Sequence, residues 1–190
     1  MINSFKFQTV KVFCFAFALA VIHLPVWAQT KCKEPKTQHQ NFAPIVYQTT
    51  DYTCGPAAAL SLLKSWKLAK QTEMELIKTF KTNTEVGTMP QNFIDGFKKL
   101  KVKAEYFEKI DLKKLKELYD AKKALIPLVD SEGDHWILIT EFNDKITVMD
   151  PWPDDDRCGY QTYTQKEFEK IWHAKIGNQA VIAVTKPEAL

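Results

Sequence analysis

The hydrophobic pattern of this 190-residue chain changes character near residue 124, and that change bounds the folds open to it. Ahead of it, residues 57–66, 73–81, 91–100 and 111–120 read as helices, with short strands at 45–47 and 102–107. Residues 91–100 place Phe93, Ile94, Phe97 and Leu100 on one face, and Thr72 with Glu75 forms a capping-box pattern ahead of the second helix. Beyond residue 124 come short β-type runs at 124–129, 136–142, 146–149 and 180–184, with one helix at 164–172. Asn143-Asp144 joins two of these runs as a hairpin turn. Helices first and an antiparallel sheet afterwards predict an α+β fold in one domain, the N-terminal helices packed on the C-terminal sheet.

The first 28 residues stand apart. Lys6 and Lys11 make a basic start, residues 12–22 are uncharged and apolar, and Val26-Trp27-Ala28 leaves small residues where a signal peptidase reads. The apolar run is short for a bilayer and Pro25 closes it, so a secretory signal is expected rather than an anchor. The expected organisation is a signal peptide at 1–28, a loose polar tail at 29–44 and a single domain at 45–190, exported to a periplasm or to the outside. No later segment is apolar enough to span a membrane. The formal charge of +3 falls to +1 once Lys6 and Lys11 are removed, which gives no argument for a nucleic-acid partner. Lysines between residues 98 and 123 are interleaved with acids and read as solvated helix faces.

Cys54 opens one of the helices, in Thr53-Cys54-Gly55-Pro56-Ala57. A cysteine at a helix start feels the positive end of the peptide dipole, which favours thiolate over thiol. Pro56 suits a first helical turn, Gly55 would let the backbone approach a ligand, and residues 57–59 are alanines that allow tight packing behind the site. Gln48, six residues upstream, carries an amide able to donate to a developing oxyanion together with the cysteine N–H. His135 stands at the start of an apolar strand, in Gly133-Asp134-His135-Trp136, and Asp150 closes the next one. An antiparallel hairpin brings such positions to one edge, where the carboxylate can fix the imidazole tautomer and leave the other nitrogen to the sulfur. Cys54 and His135 have no second ligand close in sequence, which argues against a metal site, and the chemistry calls for no cofactor. Residues 154–156 are three aspartates that cannot easily converge on a cation.

Beyond the signal segment, Cys32, Cys54 and Cys158 remain. With Cys54 as the free nucleophile, Cys32 and Cys158 are candidates for a disulfide in an exported chain; two unpaired thiols, or a lipid on Cys32, are the competing readings.

Gln48, Cys54-Gly55-Pro56-Ala57, His135 before an apolar strand and Asp150-Pro151 together resemble the bacteriocin-processing, double-glycine cysteine peptidases, which have a papain-like fold. The likeness runs from about residue 45 to 184. It implies Cys54 as nucleophile, His135 as base, Asp150 as its orienter and Gln48 as oxyanion donor, acting on a peptide or protein such as a leader or precursor peptide. Many members carry aspartate just before the cysteine, where Thr53 stands here, and many form the front end of an ABC transporter, of which this sequence has neither spans nor nucleotide-binding motif. The same groups would serve an acyl transferase or amidase, and the same fold would serve a non-catalytic peptide-binding domain.

Overall fold

The structure, a computed structural model, describes residues 43–152 and 159–188. The expected signal segment and both cysteines of the candidate disulfide lie outside the described residues.

Among the described residues, five helices, α1 (Cys54–Ser65), α2 (Glu73–Thr79), α3 (Pro90–Lys99), α4 (Leu112–Asp120) and α5 (Gln165–Ile171), accompany seven strands. These are β1 (Lys103–Phe107), β2 (Lys123–Asp130), β3 (Asp134–Trp136), β4 (Leu138–Phe142), β5 (Lys145–Met149), β6 (Tyr160–Thr164) and β7 (Ala180–Thr185). All pairings are antiparallel, in the order β1-β7-β2-β4-β5-β6, with β3 folded back on β2. The α+β expectation holds, with one adjustment: β1 precedes α4 in the chain yet joins the sheet at its edge beside β7.

Both faces of the sheet are covered. Ala124, Ile126 and Leu128 of β2 join Ile182 and Val184 of β7 in a core beneath α1, α2 and α3. Leu125 and Val129 point the other way, with Ile139, Val148 and Val181, into a second core closed by Leu115, Phe168 and Trp172. A strand buried on both sides needs no polar alternation, which is why residues 124–129 read as one apolar run. At about 25 cal/mol per Å² of apolar surface, each fully buried Leu or Ile here contributes roughly 1.5–3 kcal/mol.

The capping box forms as expected: the Thr72 hydroxyl accepts from the Glu75 amide and the Glu75 carboxylate accepts from the Thr72 amide. Thr164 and Glu167 repeat it at α5. On α3, Gly96 lets the Phe80 ring pack against the helix backbone, since a Cβ there would lie 1.9 Å from it. Three local expectations are corrected. Residues 45–47 form no strand with the described residues; the Val46 N–H goes to the Ser61 hydroxyl instead. The run 136–142 is two strands, broken at Ile137 opposite Pro127, whose missing N–H interrupts the ladder. Strand β6 was not foreseen.

Candidate active site

Cys54 is the first residue of α1. Thr53 caps the turn through its carbonyl, which accepts from the Ala57 N–H at 3.1 Å, while Pro56 has no N–H to leave unpaired. Every residue from Cys54 to Leu63 is buried, and α1 packs against β2, β3 and β4. A helix buried all round must be lined with small residues where strands come closest, and Ala57, Ala58 and Ala59 are wholly inaccessible. Gly55 has a different role from the ligand approach expected of it. A Cβ at this position would lie 2.6 Å from the Thr88 hydroxyl and 3.1 Å from the Phe93 ring, so glycine here lets α1 seat against the segment before α3.

His135 is set by the tight β2–β3 connection. Val129 pairs with His135 and Asp130 with Asp134, and the three intervening residues turn with Glu132 at φ +59° and Gly133 at φ +138°. Asp150 follows β5, and its N–H donates to the Gly159 carbonyl at 2.7 Å. His135 Nε2 and Asp150 Oδ1 lie 2.7 Å apart. Cys54 is the second side chain that acts on the ring, and like Asp150 it favours the charged imidazole. With Nε2 committed to Asp150, Nδ1 is the nitrogen left for the sulfur.

Cys54, His135 and Asp150 are 4 %, 7 % and 7 % exposed, so their charges act on one another with little screening. Burial is the largest influence on His135 and works against the imidazolium. The hydrogen bond to Asp150, with the influence of the neighbouring Cys54, outweighs it and raises the ring from 6.5 to about 9. Asp150 is fully engaged: Oδ1 also accepts from the Trp152 N–H at 2.8 Å, and Oδ2 from Gln161 Nε2 at 3.0 Å.

Gln48 comes alongside through its backbone N–H, which donates to the Pro151 carbonyl at 2.8 Å. Its side chain is buried, and Nε2 donates to the Thr50 carbonyl at 2.7 Å. One amide hydrogen is thereby occupied and the second remains, while Oε1 is buried without a partner among the described residues. The four expected residues thus fall on three junctions: the segment before α1, the β2–β3 hairpin and the end of β5.

Cys54 opens onto a cleft of about 330 Å³. Leu128 and Trp136 form the floor, residues 84–88 one wall, and Lys175 with Ile176 the other. Both walls are tied to the strand that carries His135. Trp136 Nε1 donates to the Thr88 carbonyl at 2.8 Å, and the Asp134 carboxylate accepts the Lys175 and Ile176 N–H groups at 2.6 and 3.0 Å. The first wall is itself a closed turn, with Asn83 and Gly87 exchanging backbone bonds at 3.0 and 3.1 Å and Gly87 at φ +63°. These cleft residues were not singled out from the sequence; the Thr/Asn-rich loop with Gly87 was the one available signal. Among the described residues no group of His, Cys, Asp and Glu is arranged to hold a metal, and no helix is long and apolar enough to cross a membrane.

A papain-like fold with a cysteine at a helix start, beside a histidine–aspartate pair, defines a class. The model of the Peptidase C39 family matches residues 43–183, and the chain belongs to that family. Solved structures agree on the fold. The peptidase domain of Streptococcus ComA, a bi-functional ABC transporter involved in quorum sensing, is 19 % identical, with 75 % of this chain and 98 % of that one covered at a TM-score of 0.59. A double glycine motif protease from an AMS/PCAT transporter, in complex with the leader peptide, is 16 % identical over 80 % and 96 %, with a TM-score of 0.60. A C39-like peptidase from Bacillus anthracis is 14 % identical over 80 % and 98 %, also at 0.60. No curated protein is similar enough to the chain to count as a match.

Proposed function

We propose that this protein is an exported cysteine peptidase that cleaves a peptide bond in a leader or precursor peptide. The observation that carries the reading is the His135–Asp150 contact of 2.7 Å on a ring that Cys54 also influences, with Cys54 lining the cleft. In this reading the imidazolium of His135 stands beside the sulfur, and the thiolate attacks the scissile carbonyl carbon. The carbonyl π electrons move to oxygen, and the oxyanion is held by the Cys54 N–H with the free hydrogen of Gln48 Nε2. Collapse of the tetrahedral adduct breaks the C–N bond, and His135 gives its proton to the departing amine. The now neutral ring takes a proton from water, the hydroxide displaces sulfur from the thioester, and the acid product leaves. Asp150 holds the ring throughout without itself being protonated. A related protease that is known in complex with a leader peptide supports a peptide as the occupant of the cleft.

Export rests on residues 1–28 alone. N-terminal sequencing of protein recovered from the cell envelope or medium should begin at Gln29; recovery of unprocessed chain from the cytoplasm would remove export from the proposal.

The activity is tested by digesting a complex peptide mixture with the wild-type protein and with Cys54→Ala, and reading new termini by mass spectrometry. New termini made by the wild type alone support a peptidase. Peptides retained by both proteins and cut by neither would make the chain a peptide-binding domain, and acyl transfer to an added amine in place of hydrolysis would make it a transferase.

A further inference from the structure

Strand β6 places Gln161 and Tyr163 on one side of the sheet edge, next to β5. Gln161 pairs with Val148 and Tyr163 with Ile146, so both side chains share a face with Val148 and reach towards the residue two beyond it, Asp150. Gln161 Nε2 donates to Asp150 Oδ2 at 3.0 Å. The Tyr163 hydroxyl donates to Gln161 Oε1, and its ring packs against the second core. The carboxylate can only accept, so the NH2 end of the amide must face it, which leaves Oε1 to the Tyr163 hydroxyl. With Trp152 N–H and His135 on Oδ1, this leaves Asp150 fixed at both oxygens.

We infer that Gln161 is a positioning residue for the reaction: held by Tyr163, it fixes the Asp150 carboxylate in the plane that orients His135 towards Cys54. The inference rests on the proposed cysteine-nucleophile reading. Nothing in the family resemblance pointed to this strand. A neutral donor suits the task, because it anchors the second oxygen and leaves the carboxylate its charge for the imidazolium, whereas lysine or arginine would neutralise it. Without the amide, only Oδ1 is held, and the carboxylate can turn away from the ring.

The groups that face His135 are Cys54 from α1 and Asp150 from the end of β5; its neighbour Asp134 is turned to the amides of Lys175 and Ile176. The test is the rate of Cys54 alkylation by iodoacetamide between pH 5 and about 10, followed alongside the titration of the His135 ring by NMR. Wild type, Cys54→Ala, Gln161→Leu, Gln161→Glu and Tyr163→Phe are compared, with thermal melting as the check on folding. Gln161→Leu should slow alkylation at neutral pH roughly tenfold, the scale of losing one hydrogen bond to a charged group, and bring the His135 midpoint down. Tyr163→Phe, which removes the hydroxyl bond to Gln161 Oε1, should move both readings the same way by less. Gln161→Glu sets one carboxylate against another and should keep the shape of the side chain while losing the function. A merely structural strand would lower the melting temperature and leave the His135 midpoint alone. An unmoved midpoint and rate in folded Gln161→Leu, or in Tyr163→Phe should the first not fold, overturns the inference and leaves the nucleophile reading standing. A wild-type Cys54 that reacts no faster than an unfolded thiol removes the reading beneath it, and the inference falls with it.

Discussion

The backbone N–H of Gln48 donates to the carbonyl of Pro151 at 2.8 Å, tying the oxyanion candidate to the turn that carries Asp150. Two residues about a hundred positions apart are thus set by one bond that no side-chain substitution at residue 48 removes. Gln48→Ala should therefore keep the backbone in place. It deletes a donor engaged with Thr50 and a buried acceptor that has no partner among the described residues, and these two effects oppose each other. The expected stability change is within about 1 kcal/mol, while turnover falls roughly a hundredfold or more. Peptide hydrolysis rates and chemical denaturation of the variant check both; an unaltered rate would take Gln48 out of the site.

His135 has its folded pKa raised to about 9. In the proposed mechanism the acid form of the ring protonates the leaving amine, so activity should persist through neutral pH and fall as pH rises through about 9, not through the ordinary 6.5. In Asp150→Asn one of the contacts that raise the ring is weakened, and the falling limb should move to lower pH. The pH profile of kcat/KM and direct NMR titration of the imidazole both read this. A midpoint near 6.5 in the wild type would mean that the ring lacks these partners in solution.

Gly55→Ala tests the close seating of α1. The new methyl would sit 2.6 Å from the Thr88 hydroxyl and 2.9 Å from its Cβ, and that threonine is held by its Thr82 hydroxyl contact and by the Trp136 bond to its carbonyl. The helix must move instead, and Cys54 moves with it. A loss of about 1–3 kcal/mol is expected, with slower alkylation of Cys54. A wild-type melting temperature would show that the segment before α3 yields more readily than its contacts imply.

Particular residues explain why part of this site was legible in the sequence. Cys54, His135 and Asp150 each sit at an element boundary, where local signals are strong: a helix start with Pro56, a hairpin with Gly133, and an aspartate before proline. The correct placement of Thr72 with Glu75 has the same origin, since a capping box is a contact within four residues. Long-range consequences left weaker traces. Ile137 looks like any other residue of an apolar strand until the sheet puts Pro127 opposite it. Gly55 could not be read as a packing position, because Thr88 and Phe93 lie more than thirty residues on. Strand β6 was hidden by shortness and by the charged stretch before it, and Gln161 has meaning only once that strand lies beside β5.

Asp150→Asn is the most discriminating single change, because the substitution is nearly isosteric and the surroundings are all donors. Asp150 Oδ1 faces His135 Nε2 and the Trp152 N–H, and Oδ2 faces Gln161 Nε2. An asparagine has one oxygen to offer. Turned towards His135 and Trp152, its NH2 meets the NH2 of Gln161; turned the other way, it meets the Trp152 N–H and drives the imidazole to the wrong tautomer. Either orientation leaves one part-buried donor without its acceptor, at a cost of about 1 kcal/mol. Activity should fall by up to about 10⁴-fold, the scale at which an orienting carboxylate acts in a catalytic triad. His135→Ala should lower activity further, because it removes the proton carrier, yet it spares the two neutral donors that hold Asp150. The decisive comparison is Asp150→Asn with the double variant Asp150→Asn, Gln161→Glu. The new carboxylate accepts from the asparagine NH2, so stability should recover in part, while activity stays low because Asp150's charge beside His135 is still missing. Recovery of activity together with stability would mean that Asp150 serves the fold of this edge rather than the chemistry of His135.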